Sequence, residues 1–304
     1  MPHHVKTGTE QVMSDAVIPE VLHLAAFADG PGGGNLAGVV LDAMELSDEQ
    51  MLEVARDLGY SETAFVTTVL DARRSARIRY FSPGAEVPFC GHATVATAVA
   101  LAEKYGPGAF SLATPAGEIV LQTTQSEHGM TASFTSVEPS VTEMAPAVLT
   151  RLLDLLGLDA EQLHPGFPAK LAFAGNTHPM IVVRDKADLD SFTFDAQGLR
   201  TLMDEQGWAG TVTVMWVNED GDHVPVSLEI ESRNLFPVGN IREDPATGSA
   251  AASTGAYLRS IGAVRTPASL VIRQGRHVGR PCIVLASVPA QGGITVTGTA
   301  THVA

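Results

Sequence analysis

The feature that most constrains the fold is a segment that occurs twice. Cys90-Gly91-His92-Ala93-Thr94-Val95-Ala96-Thr97-Ala98-Val99-Ala100-Leu101 returns as Thr247-Gly248-Ser249-Ala250-Ala251-Ala252-Ser253-Thr254-Gly255-Ala256-Tyr257-Leu258. Both copies are runs of small residues with almost no charge. A helix without a polar face is a poor surface helix and a good buried one, so each copy predicts a helix sunk inside a sheet.

A buried helix start leaves its first backbone N–H groups without partners, and glycine there lets a ligand approach them. Gly91 and Gly248 therefore mark two candidate anion sites, and both starts pointing into one cleft would hold a carboxylate with backbone donors and helix dipoles. For either copy alone, easier packing explains the glycine as well. The repetition favours the shared cleft.

Other segments recur in the same order. Residues 21–27 suit a strand, and Gly30-Pro31-Gly32-Gly33-Gly34-Asn35 breaks it before a second apolar run at 36–41. A phosphate-binding glycine loop opens a helix, whereas this one leads into a β-like run, so a turn that sets Asn35 beside the cleft fits better. Ser47-Asp48-Glu49-Gln50 is a capping box, Met51, Val54, Ala55 and Leu58 follow at helical spacing, and Gly59 stops the helix. The second half repeats this with Asn176 before residues 181–183, a helix bearing Leu199, Leu202 and Met203, and a strand at 212–216. Arg79-Tyr80-Phe81-Ser82-Pro83 likewise returns as Arg233-Asn234-Leu235-Phe236-Pro237.

An internal duplication follows, and with it an α+β fold. It has two pseudo-symmetric domains, each a strand-rich sheet wrapped around a hydrophobic central helix, with an active-site cleft between them. Residues 1–18 read as a loose leader, 19–138 as the first domain and 139–289 as the second. A strand within 290–303 is placed to return and complete the first sheet.

Against 34 acidic side chains stand 19 basic ones, a net charge of −15. That balance repels nucleic acid and anionic membranes, so a small molecule is the expected partner. Two cysteines, Cys90 and Cys282, make no disulfide framework and no metal half-sites, which points to the cytoplasm and to no metal requirement. No apolar run approaches the length of a membrane span.

Where the repeats differ, folding alone is a weaker explanation. Alternation in Tyr60-Ser61-Glu62-Thr63-Ala64-Phe65-Val66 puts Glu62 on the face of Ala64 and Val66, while the matching Gly207-Trp208-Ala209-Gly210 offers glycine. Cys90-Gly91-His92 faces Thr247-Gly248-Ser249, preceded by Glu243-Asp244-Pro245-Ala246. A cleft holding Glu62, His92, Asp244 and Ser249 is equipped for proton transfer. Singly, Asp244 before Pro245 also reads as a helix cap, His92 as a core histidine, Ser249 as a helix-start acceptor and Cys90 as a small buried hydrophobe. An inward Glu62 without a purpose is the costliest to explain away.

Ser61-Glu62-Thr63-Ala64-Phe65-Val66, Phe89-Cys90-Gly91-His92-Ala93-Thr94 and Glu243-Asp244-Pro245-Ala246-Thr247-Gly248-Ser249-Ala250 together resemble the PhzF family of phenazine-biosynthesis isomerases. So do Gly34-Asn35, Phe81-Ser82-Pro83 before Glu86, and Gln274-Gly275 with Gly279-Arg280-Pro281. The resemblance implies a diaminopimelate-epimerase-like fold, no cofactor, a homodimer, and an allylic proton shift on a dihydro-hydroxyanthranilate-like acid. It implies Glu62 as the base and His92 and Asp244 as groups that bind and shuttle protons. Ser249 and the Gly91 and Gly248 backbones would hold the substrate carboxylate, with Asn35 and Cys90 lining the same site. Cys90 stands where similar epimerases keep one of two catalytic cysteines, and Thr247 stands at the other. An amino-acid racemase or epimerase, and a non-catalytic interaction protein on the same scaffold, are the alternatives.

Overall fold

The structure is a computed structural model that describes residues 20–127, 129–219 and 224–303; the leader expected at 1–18 lies outside them. In the first half, Leu22–Ala26 pairs antiparallel with Asn35–Val40, which runs parallel to Glu62–Val66. The sheet continues through Ser75–Phe81, Gly108–Thr114, Gly117–Ser126 and Gly129–Thr135. The strand Thr295–His302 then pairs with both Gly129–Thr135 and Leu22–Ala26 and closes the circuit into a barrel. The same strand pairs with Cys282–Val288 of the second half. From there a second sheet runs through Ala268–Gln274, Ser227–Leu235, Val212–Asn218, Thr177–Val182 and Lys170–Phe173 to Ser140–Glu143.

Each sheet curls around one copy of the repeated segment. Helix Gly91–Tyr105 packs against the strands of the first sheet and helix Gly248–Ser260 against those of the second. The interior of so small a barrel is narrow, and a helix of Ala, Val, Thr and Gly is thin enough to fill it. From His92 to Ala102 every residue is buried. The hydroxyls this places in the core are satisfied locally: Thr97 donates to the Ala93 carbonyl at 2.7 Å, and Thr94 lies 2.6 Å from the Tyr80 hydroxyl.

Amphipathic helices cover the outer faces. Asp48–Leu58 begins with the expected capping box on Ser47 and ends at Gly59, whose φ of 64° is the left-handed stop that glycine supplies without strain. It packs Met51 and Ala55 against Phe65, while Ala64 and Val66 face the central helix, so Glu62–Val66 is buried on both faces. In the second half, Ala196–Gln206 does the same with Leu199, Leu202 and Met203. A second outer helix, Pro146–Leu156, adds to the expected elements. Its N-cap is Ala145, which makes no side-chain cap bond, so its main sequence signals are Pro146 at the first turn and Leu152, Leu153 and Leu156 within. Among the described residues no helix is long and apolar enough to cross a membrane.

Candidate active site

The two central helices meet at their first residues. A Cβ built on Gly91 would sit 3.7 Å from the Gly248 Cα, so only glycine or a very small side chain leaves both sets of amides reachable. Around this junction lies a cleft of about 580 Å³, mouth included, lined by Glu62, Cys90, His92, Asp244 and Ser249 together with the two glycines. Asn176 reaches it from the second half and Phe236 and Ile241 give it apolar walls.

Asn35 lies behind the lining, buried, and joins the halves. Its side-chain N–H groups face Asp244 Oδ1 at 2.7 Å, His92 Nδ1 at 3.1 Å and the Ala246 carbonyl at 3.2 Å. The glycine turn before it is pinned from the other half: Arg280 donates to the Gly34 and Gly33 carbonyls at 2.6 and 2.8 Å. A Cβ on Gly33 would meet the Pro281 carbonyl oxygen at 2.2 Å, which is why glycine stands there. The turn delivers Asn35 to the cleft and opens a strand, not a phosphate loop.

Glu62, Cys90 and His92 form a close triangle. The Cys90 thiol lies 3.5 Å from Glu62 Oε2 and 3.3 Å from His92 Nδ1, and His92 Nε2 lies 3.5 Å from Glu62 Oε2. Ser61 Oγ is 3.3 Å from the same ring nitrogen. Among the described residues no lysine or arginine lines the cleft. Burial therefore raises the Glu62 carboxyl above the ordinary glutamate range, offset in part by hydrogen bonds from Ser61 and Cys90. Burial and the neighbouring Glu62 carboxylate push the Cys90 thiol well up. Burial pushes His92 down, against the pull of Asp244 and the Leu36 carbonyl, and so disfavours the charged form of the ring that lies beside Glu62.

Asp244 is not a helix cap. It pairs with Asn234 in the short strand Glu243–Asp244, and the helix begins later, at Gly248, after Thr247. The Thr247 hydroxyl donates to Asp244 Oδ2 at 2.6 Å, while Gln274 donates to the Asp244 carbonyl at 2.6 Å. Burial raises the Asp244 carboxyl to about 6, even though His92, Thr247 and Asn35 all favour its charged form.

The counterpart of Glu62 also changes. Ala37 pairs with Glu62 and Thr63 with Phe81, whereas Met180 pairs with Thr213 and Val212 with Leu235. With Asn35 matched to Asn176 and Phe81 to Leu235, both registers put Thr211, not Gly210, at the acid's place. Thr211 donates its hydroxyl to Asn234 at 2.6 Å, so the carboxylate remains one-sided. Gly210 has its own reason: a Cβ there would lie 2.6 Å from the His178 ring.

His178 was not singled out by sequence. It is fully buried where the first half has Ala37, and its Nε2 lies 3.0 Å from Ser249 Oγ. Its Nδ1 lies 3.0 Å from the Thr211 backbone N–H and equally near the Thr211 carbonyl and hydroxyl oxygens, so either tautomer finds partners. Burial pushes its pKa down to about 4, with the Thr211 backbone opposing, and the ring is neutral at neutral pH. Ser249 Oγ thus meets His178 rather than a helix-start amide, and where Nε2 carries the proton the serine accepts and keeps its own O–H for the cleft.

Residues 24–304 match the family described as phenazine biosynthesis-like protein, PhzC-PhzF. An uncharacterized isomerase of Deinococcus radiodurans is 35% identical over 88% of this chain and 86% of that one. The trans-2,3-dihydro-3-hydroxyanthranilate isomerase of Pseudomonas chlororaphis is 30% identical over 86% and 87%. Among solved structures, a PhzF-family phenazine biosynthesis protein of Bacillus anthracis superposes with a TM-score of 0.78 at 25% identity, covering 93% of this chain and 96% of that one.

Proposed function

The chain belongs to the PhzC-PhzF family of phenazine biosynthesis-like proteins, a family of isomerases, and from that premise we propose that it shifts a proton on a small cyclic or allylic carboxylic acid similar to trans-2,3-dihydro-3-hydroxyanthranilate. The observation that carries the reading is a half-buried glutamate with a raised pKa, facing a cleft that no lysine or arginine among the described residues lines, beside a buried histidine and aspartate. Such a carboxylate is a stronger base than glutamate in water, which a weak carbon acid requires.

In the reaction proposed, Glu62 takes a proton from the carbon next to the double bond. The C–H electron pair moves into the allylic system, the double bond shifts, and charge spreads toward the substrate carboxylate. That carboxylate lies over the helix starts at Gly91 and Gly248, where amide N–H groups and dipoles stabilise it, with Ser249 as a further donor. Glu62, or Asp244 through His92, returns the proton at the far carbon. A two-base racemase is less well served, because Thr247, where a second thiol would stand, commits its hydroxyl to Asp244.

The enzyme works without cofactor or metal, as a cytoplasmic homodimer, and its partner is the acid substrate rather than nucleic acid or membrane. The test is incubation with unsaturated and amino carboxylic acids in deuterated water, before and after chelation, read by mass spectrometry and NMR. Deuterium entering an unsaturated acid at a shifted position, unaffected by chelator, is the expected result. Exchange at the α-carbon of amino acids with loss of chirality would select a racemase, and exchange into no acid would select an interaction protein.

His178 enters this reading as a positioning residue. His178→Ala frees Ser249 from its partner, and the expected result is a KM for the acid raised about tenfold with a smaller change in kcat. An unchanged KM with a collapsed kcat would contradict the role given to Ser249.

A further inference from the structure

We propose that Glu62, Cys90 and His92 also constitute a Zn²⁺ site, and that zinc bound there switches the isomerase off. Bonds of about 2.3 Å to sulfur and about 2.0–2.1 Å to nitrogen and oxygen, at tetrahedral angles, set ligand atoms about 3.3–3.6 Å apart. Two edges of the triangle already lie in that range, 3.5 Å from Cys90 Sγ to Glu62 Oε2 and 3.5 Å from His92 Nε2 to Glu62 Oε2, and the third, 3.8 Å from Sγ to Nε2, closes to it with a small turn of the Cys90 side chain. All three residues line the cleft, so the fourth tetrahedral position opens onto the space where substrate is expected.

The donor set is selective. Thiolate with imidazole and one carboxylate suits zinc and excludes magnesium or calcium, which want oxygen alone. Ligated as thiolate and carboxylate, Cys90 and Glu62 would neutralise a divalent ion, and Asp244 is the other acidic side chain among the described residues lining the cleft. Binding releases the Cys90 thiol proton to solvent, and no electron is transferred. The other cluster of comparable donors among the described residues, Asp190, Glu231 and His277, is already occupied by cations. Lys186 and Arg276 pair with Glu231, and Arg276 also pairs with Asp190.

Inhibition rests on Glu62 being the base, because a lone pair given to zinc cannot take a proton. The binding itself does not, so it is measured without substrate. Co²⁺ as a spectroscopic probe, added to the full chain, is expected to give a thiolate-to-metal band in the near ultraviolet that saturates at one equivalent. Zn²⁺ added afterwards removes the band. Cys90→Ser loses it and binds Zn²⁺ more than about 10-fold more weakly in competition with a chelator, while Cys282→Ser keeps it. A band that is absent from the unaltered protein, or that persists in Cys90→Ser, overturns the site. Where an acid substrate has been found, Zn²⁺ should stop its deuterium exchange and a chelator should restore it. Exchange that continues once Zn²⁺ has displaced the whole Co²⁺ band overturns the switch while leaving the isomerase reading intact.

Discussion

Glu62→Gln is expected to lower turnover by about 10²- to 10⁴-fold, the usual worth of a general base, with the fold preserved. The amide keeps the shape of the carboxylate and can still meet Ser61 and Cys90, but it cannot accept a proton from carbon. The pH profile supplies a second signature. A base must be unprotonated, so activity rises with pH through the raised pKa of Glu62, and the acid limb falls at higher pH than an ordinary glutamate would give. Cys90→Ala is expected to cost far less, under about tenfold, because a thiol whose pKa is pushed well up is neutral at working pH. If the thiol variant is dead and Glu62→Gln active, the base has been misassigned.

Asp244→Asn is expected to make the protein more stable at neutral pH and to reduce turnover by at least about 10²-fold. The sign follows from linkage. The folded state holds the Asp244 proton more tightly than the unfolded state, with a pKa of about 6 against an ordinary 3.8. Stability from this group is thus fully present below the unfolded value and is lost as pH rises through about 6. At pH 7 the buried carboxylate costs about 3 kcal/mol relative to its protonated form. The amide removes that cost but turns N–H toward Thr247, whose hydroxyl then loses its acceptor, leaving a net gain of about 1–2 kcal/mol. Urea denaturation at pH 7 should show the gain, and at pH 4, where the folded carboxyl is protonated and only the lost hydrogen bond remains, the variant should be the less stable by about 1 kcal/mol. A variant less stable than the parent at pH 7 would mean that the charge is better compensated than its surroundings indicate. Such a trade marks Asp244 as kept for chemistry rather than for folding.

Much of this was legible in the chain. The repeated small-residue helix carries the architecture in its composition, since segments with no polar face had to be wrapped by sheet, and its glycines meet as expected. Glu62, Cys90, His92, Asp244 and Ser249 line one cleft because they sit at the starts of those helices or at the end of the strand beside them. What stayed hidden depends on geometry that no spacing records. Pairing Glu62 with Gly210 assumed equal turns after each helix, but the strand registers differ from that count by one residue. His178 lies among apolar strand residues, and its partner Ser249 is brought to it only by the fold. Asp244 before Pro245 has the pattern of a cap, and only the extra residues before Gly248 reveal a strand instead.

The strand Thr295–His302 carries a consequence for how the molecule is made. Leu24 lies opposite His302 and Ala26 opposite Ala300, so the first barrel is sealed by residues almost a whole chain away. During synthesis the N-terminal half emerges with its ring of strands open and its apolar helix in place but ungirdled. It cannot lock until Thr295–His302 leaves the ribosome. Domains ordinarily fold in order as they appear, but here long-range closure must wait until Thr295–His302 has emerged. For most of its time on the ribosome the nascent chain therefore exposes two unpaired strand edges, a natural substrate for chaperones and a place where two growing copies could exchange strands.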